Sequence, residues 1–175
     1  PGAAELRLRI DHFMFPTMDQ IKRAADMPIV ISQQPAFLYN IGHLFEEGVV
    51  EYGIDAEAMS LAAMVDAGAT LAAGSDFPCA SVAPLDGMAA AVGRRHVSGR
   101  RIAPDQAISV EECIRHYTNG SAYSIFRDEE VGSLEVGKRA DMVVLSHDPT
   151  GAHPDHISDI TVEQTYIDGA LVYEI

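Results

Sequence analysis

Three short apolar segments, each followed by a stretch of different periodicity, constrain this chain more than any other feature. They are "LRLRIDH" (6–12), "PIVISQQP" (28–35) and "TLAAGSD" (70–76). The first alternates, with Leu6, Leu8, Ile10 and His12 on one face and Arg7, Arg9 and Asp11 on the other, the period of a strand. The second is β-branched and bounded by prolines. Between them lies "PTMDQIKRAADM", which reads as a helix of about two turns capped by Thr17. A polar, glycine-containing stretch follows the second strand. "DAEAMSLAAMVDAG" then reads as a helix started by Asp55 and stopped by Gly68. Strand, helix, strand, helix, strand implies right-handed crossovers and a parallel sheet.

Beyond residue 80 the pattern predicts two more helices, "LDGMAAAVGRR" and "SVEECIRHYT", the latter with Ser109 and Glu112 in capping-box spacing. "NGSAYSIF" adds a short helical piece. After about residue 128 the texture turns to glycine-punctuated β-structure, with Asp168-Gly169 as the turn of a hairpin. The expected organisation is an α/β unit over residues 1–128 and a β unit over 129–175.

Of the 175 residues 47% are hydrophobic, enough for a packed core. The formal net charge of −14 argues against nucleic acid and anionic membrane surfaces, which recruit clustered Lys and Arg. Cys79 and Cys113 are too far apart in sequence for a paired metal motif and too few for a disulfide framework, which fits a reducing, cytoplasmic setting. No apolar run is long enough for a membrane helix, and no secretory leader is visible; the chain opens on Pro1.

The chemistry concentrates where strands end. His12 and Asp76 each close a parallel strand, at the edge where α/β architectures build their sites. Imidazole and carboxylate are both ligands for Zn²⁺ and similar ions, and a carboxylate beside such an ion can take a proton from water. On residue types alone, Gly-Ser-Asp before Phe-Pro is a turn or a helix N-cap, and a lone histidine is more often a hydrogen-bonded core or rim residue than a ligand. Gln33 and Gln34 end the middle strand and are candidate substrate contacts, or a strand end satisfied by water. Arg94 and Arg95 have the charge to recognise a carboxylate or phosphate, but cations also suit a helix C-terminus. "SHDPTGAHPDH" brings His147, His153 and His156 close in sequence and reads most simply as a solvated loop.

Four motifs, in order, carry a resemblance to a known family. "RIDH" is similar to an R-I-E-H motif, "ISQQP" to S-x-Q-P, "LAAGSDFP" to G-S-D-x-P, and "GSLEVGKRADMVVLSHDP" to G-x-[IL]-x-x-G-x-x-A-D-[LM]-V-[VIL]-[LF]. Together they resemble the C-terminal part of an amidohydrolase-superfamily enzyme of the family 3 type, the metal-dependent hydrolases that include N-substituted formamide deformylase-like proteins. The resemblance implies strands six to eight of a (β/α)8 TIM barrel followed by part of a small β-sandwich. It implies a divalent metal, Zn²⁺ by preference, with His12 as a ligand and Asp76 as both ligand and general base. It also implies a small-molecule substrate with an amide-type C–N bond. The family's His-x-His motif and two further ligands are absent from this chain, so the chain is expected to be a fragment, inactive alone and a weak binder of Zn²⁺. Its uncovered sheet edges, and an inward apolar face of Leu6, Leu8, Ile10, Ile29 and Ile31, are expected to drive self-association or pairing with a missing N-terminal half. The alternative is a non-catalytic truncated module that self-associates or binds a partner.

Overall fold

The computed structural model describes residues 2–52 and 58–175. A parallel three-stranded sheet, β1 (Leu8–Asp11), β2 (Ile29–Gln33) and β3 (Leu71–Ala73), runs in spatial order β1-β2-β3. Its register places Leu8 beside Ile29, Ile10 beside Ile31, and Ile31 beside Leu71. Helix α1 (Ala3–Leu6) precedes β1, so the alternating segment begins as a helical turn and becomes a strand only after Arg7, which takes a left-handed φ of 42°.

Helix α2 (Met18–Ala25) returns the chain from β1 to β2. Its start is a reciprocal cap: the Gln20 amide donates to Thr17 Oγ1 at 3.3 Å, and the Thr17 amide donates to Gln20 Oε1 at 2.9 Å. Ile21 and Ala24 on its inner face pack with Ile31, Leu71 and Met64, the last from α4 (Leu61–Asp66). This packing corrects the expected inward face. Ile31 looks toward the helices, and the register carries Leu8, Ile10 and Ile29 to that same side. The opposite face carries Arg9, Asp11, Val30, Ser32 and Ala72. The apolar positions of "LRLRI" lie on the helix side of the sheet, where Leu8 and Ile10 stay exposed outside the packed cluster, and Leu6 precedes the sheet in α1.

The stretch after β2 is not irregular. Helix α3 (Phe37–Tyr52) occupies it, with Phe37, Leu38 and Phe45 buried. Asp55, the expected cap of the next helix, lies outside the described residues, and α4 begins instead after Ser60. Helix α5 (Pro84–Gly93) follows β3 with proline at its first position. Helix α6 (Val110–Arg115) is capped as its sequence indicates, the Glu112 amide donating to Ser109 Oγ at 3.1 Å.

From His116 to Gly120 the helix widens to a π-turn and then continues as α7 (Ser121–Ser124). This segment covers the free edge of β3. Ser121 Oγ donates to the Ala73 carbonyl at 2.8 Å, and a Cβ at Gly120 would overlap the Leu71 carbonyl, so only glycine allows that approach. The unpaired edge expected at β3 is therefore partly satisfied within the chain. Arg7 ties the other end of the sheet to the same region. Its guanidinium donates to the Tyr123 carbonyl at 2.8 Å and to Asp128, and lies 3.8 Å from the centre of the Tyr123 ring.

The C-terminal part is an antiparallel sheet, β4 (Met142–Leu145), β5 (Val162–Ile167) and β6 (Ala170–Glu174), in order β4-β5-β6. Asp168 and Gly169, both at positive φ, turn β5 into β6 as the Asp-Gly pair requires. The chain between β4 and β5 does not behave as a solvated loop. It forms two short 3₁₀ turns, Pro149–Gly151 and Pro154–Asp159, and inserts Ile157 into the main core among Met88, Ala91 and Cys113. The segment after residue 128 thus contributes to the core of the segment before it.

Candidate active site

The carboxyl edge of the parallel sheet gathers the chemistry. Asp11 of β1 stands beside Ser32 of β2, which stands beside Ala72 of β3, so the three strands end level with one another. His12 follows β1 directly, its amide donating to the Ser32 carbonyl at 2.9 Å. Asp76 lies three residues beyond β3, in the loop fixed by the Cys79 amide donating to the Asp76 carbonyl at 2.8 Å.

Both residues have left-handed backbones, φ 73° at His12 and 53° at Asp76. Non-glycine residues adopt this region rarely and at a cost, and such residues cluster at functional sites. The conformation has a direct consequence. Strict alternation would send His12 to the helix side with Ile10. The left-handed turn removes it from that alternation, and its ring instead lies against Phe37, the first residue of α3, at 5.9 Å between centroids and 17° between planes. His12 and Asp76 are both exposed.

The remaining sequence candidates divide. Gln34 shares the Ser32 side of the sheet: its Nε2 donates to the Ser32 carbonyl and Oγ at 3.3 Å, and its Oε1 is buried without a partner. Gln33 is only 1% exposed and faces the helices, its Nε2 3.8 Å from Met64 Sδ. Arg94 is fully buried, and its guanidinium donates to the carbonyls of Ile102, Met59 and Ala58 at 2.9, 3.0 and 2.7 Å. Those bonds give it a structural occupation, holding the end of α5 to the start of α4, with none of those donors turned to the sheet edge. Arg95 is engaged with Asp155 through paired bonds of 2.9 and 2.7 Å. The histidines of the 146–156 stretch point outward: the His153 and His156 rings are exposed, and His156 Nδ1 lies 2.9 Å from Asp159.

The partner that sequence reading missed is Phe37. Its signal was the apolar spacing Phe37, Leu38, Ile41 and Phe45 immediately after "SQQP", hidden by the glycines at 42 and 48. Imidazole and carboxylate suit Zn²⁺ or a similar borderline ion. Among the described residues no group of three or more His, Cys, Asp or Glu side chains is placed to hold a metal. The donor types at His12 and Asp76 therefore fit such an ion as part of its shell, short of the three protein ligands usual at a hydrolytic zinc.

Level parallel strands with ligand-type residues on their carboxyl edge, alternating with helices, are the closing part of a (β/α)8 barrel. The chain belongs to the amidohydrolase family, whose model matches residues 2–173. It is 33% identical over 171 residues to N-substituted formamide deformylase of Arthrobacter pascens, covering 98% of this chain and 32% of that protein. It is 32% identical to the putative amidohydrolase YtcJ of Bacillus subtilis, covering 95% of this chain and 32% of that one. An uncharacterized metal-dependent hydrolase from Pyrococcus horikoshii superposes on 85% of this chain and 30% of its own, with a TM-score of 0.70 and 25% identity. The chain thus spans about a third of the length of the curated relatives it matches.

Proposed function

We propose that this segment supplies the closing edge of the active site of a metal-dependent hydrolase that cleaves an amide-type C–N bond in a small molecule. The observation that carries the reading is the paired left-handed geometry of His12 and Asp76 at the carboxyl edge of one parallel sheet. The similarity to a formamide deformylase supports the bond type, and the metal-dependent hydrolase among the similar folds supports the ion.

His12 and Asp76 would be this segment's ligands, for Zn²⁺ by donor chemistry. When bound, such an ion polarises the substrate carbonyl and lowers the pKa of water. Asp76 accepts the proton of the attacking water and returns it to the departing amine nitrogen, general base and then general acid. Its exposed position, with a backbone held by the Cys79 bond, suits that exchange. His12 is held in orientation by Phe37. Gln34, with its unpaired Oε1 on the Ser32 side, is the residue proposed to sense the substrate's polar groups; the Gln33 Oε1 is unpaired too, but its side chain lies by Met64 on the helix side, and Arg94 donates to backbone carbonyls.

The test is hydrolysis of N-substituted formamides and related amides by the natural polypeptide that carries these residues. Asp76→Asn is expected to lower kcat by at least about a hundredfold with the protein still folded, and His12→Gln to lower metal content. An Asp76→Asn variant with more than a tenth of the parent kcat would remove the general-base assignment.

A second reading, a self-associating module, is favoured by one observation. Val143, Leu171, Val172 and Tyr173 of the C-terminal sheet are each about half exposed, more apolar surface than stable monomers usually show. Light scattering of the 175-residue chain separates the readings: an oligomer supports this one, and a stable monomer at micromolar concentration removes it. No helix among the described residues is long and apolar enough to cross a membrane.

A further inference from the structure

Away from the sheet edge, two imidazoles are brought together that the proposed hydrolysis does not use. His43 lies on α3 and His96 in the tight turn after α5, and His43 Nδ1 stands 3.0 Å from His96 Nε2. The ring centroids are 4.8 Å apart, with the planes at 60°. Without an ion the two imidazoles share a hydrogen bond, bent rather than straight because the centroids are closer than a collinear N–H···N arrangement would place them. Two nitrogens on one ion, with bonds of about 2.0–2.1 Å and an angle between square and tetrahedral, stand about 2.9–3.3 Å apart. The observed spacing falls in that range.

The pair is also carried on a preformed frame. The Val97 amide donates to the Tyr39 carbonyl at 2.9 Å, fixing the turn to α3 one helical turn before His43. The turn itself is closed by the His96 amide to the Arg100 carbonyl and the Gly99 amide to the His96 carbonyl, both 2.8 Å. Gly42 lets the two elements approach: a Cβ there would lie 3.1 Å from Ile102 and 4.0 Å from His96. His96 is 7% exposed, and its far nitrogen, Nδ1, is 2.9 Å from Ser98 Oγ. An outer hydrogen bond of this kind orients a ligating imidazole. His43 is half-buried, which leaves a side for entry.

We infer that His43 and His96 form a two-imidazole site for a late first-row divalent ion of the Ni²⁺ or Cu²⁺ class, separate from the strand-end site. With no third His, Cys, Asp or Glu gathered there among the described residues, water completes the shell. Affinity follows the order Cu²⁺ above Ni²⁺ above Co²⁺ that such nitrogen sites show. Ligation through Nε2 would need the His96 ring proton on Nδ1, donated to Ser98 Oγ in place of the 3.2 Å bond that the Ser98 amide donates to that nitrogen. The ion thereby bridges α3 to the turn after α5 and stiffens the helix whose first residue packs on His12.

Ni²⁺ is the probe, because Cys79 is exposed and free and would reduce Cu²⁺. Titration calorimetry of the 175-residue chain is expected to show one strongest equivalent, with Tm rising as it fills. His43→Gln, at the half-buried position, is expected to weaken that equivalent about 10–100-fold and to abolish the Tm rise. His96→Gln, checked for fold by circular dichroism, should do the same. The combined His147→Gln, His153→Gln and His156→Gln variant and His12→Gln should keep it. Retention of the strongest equivalent in His43→Gln, or its loss in the triple variant, overturns the inference.

Discussion

Burial of Ile157 should hold the C-terminal part of the chain to the main core. This residue belongs to the strap between β4 and β5, is completely buried, and sits in the main core with Met88, Ala91 and Cys113. Ile157→Ala removes three carbons. At about 0.8 kcal/mol for each buried carbon the transfer loss is about 2.4 kcal/mol. The cavity left behind raises the cost to about 3–4 kcal/mol, within the range of about 2–5 usual for such truncations. With a urea slope of about 2 kcal/mol per molar, the unfolding midpoint should fall by about 1.5–2 M. Two controls isolate the cause. Val136, whose relative exposure is 109%, should tolerate alanine within about 0.5 kcal/mol. Asp155→Asn breaks the bridge to Arg95, whose side chains are 31% and 41% exposed, and should cost at most about 1 kcal/mol. A loss below about 1 kcal/mol for Ile157→Ala, or a larger loss for Asp155→Asn, would refute the claim that apolar burial holds the strap. It would then favour an independent unit after residue 128.

Gly120→Ala forces a Cβ into the Leu71 carbonyl and should leave little soluble folded protein, read by expression yield and far-ultraviolet circular dichroism. Burial pushes His116 below its ordinary value, with Glu112 partly opposing that shift. The unfolded chain therefore takes up this proton first as pH falls, and stability should drop from about pH 6.5 downward. His116→Gln should flatten the urea midpoint over that interval. Arg7 holds the Asp128 carboxyl below its ordinary range, so its stabilisation is present above the unfolded value near pH 4 and lost as pH falls further. Asp128→Asn should remove that part of the acid limb and lower the midpoint at pH 7. Burial also pushes the Cys113 thiol up to about 12, so a thiol reagent at pH 8 should label Cys79 and leave Cys113 unmodified until the chain unfolds.

What could be read from the sequence was what depends on near neighbours. The Thr17 and Ser109 caps and the Asp168-Gly169 turn follow from chemistry within a few residues, and the parallel strand order from the alternation of strand and helix patterns along the chain. The errors arose where the deciding partner was distant. "LRLRI" showed its period but not its direction, because only the register with Ile31 tells which side meets α2 and α4. Arg94 looked like a free cation at a helix end. The carbonyls that occupy it come from residues 58, 59 and 102, and nothing local announces them. The strap at 149–160 carried proline, glycine and histidine, the composition of a loop, while one isoleucine was enough to seat it in the core.

The candidate site shows the same limit in reverse. Residue types at the strand ends point to His12 and Asp76. Period-two extrapolation, however, puts them on opposite faces: His12 follows Ile10, and Asp76 follows Ala72 and Gly74. The left-handed backbones at both positions take them out of the strand pattern. Aspartate and histidine enter this region more readily than most non-glycine residues, and Gly-Ser-Asp before Phe-Pro signals a turn at Asp76, whereas nothing beside His12 signals the break in alternation. A strained residue persists only where the surrounding fold over-determines it. The Ser32 carbonyl and the Phe37 ring at His12, and the Cys79 amide at Asp76, supply that restraint. His12→Gly and Asp76→Gly would relieve the backbone cost while deleting the chemistry. If the geometry serves function rather than folding, both substitutions should leave stability unchanged or raised in urea, while lowering metal content or hydrolysis in the polypeptide that carries them.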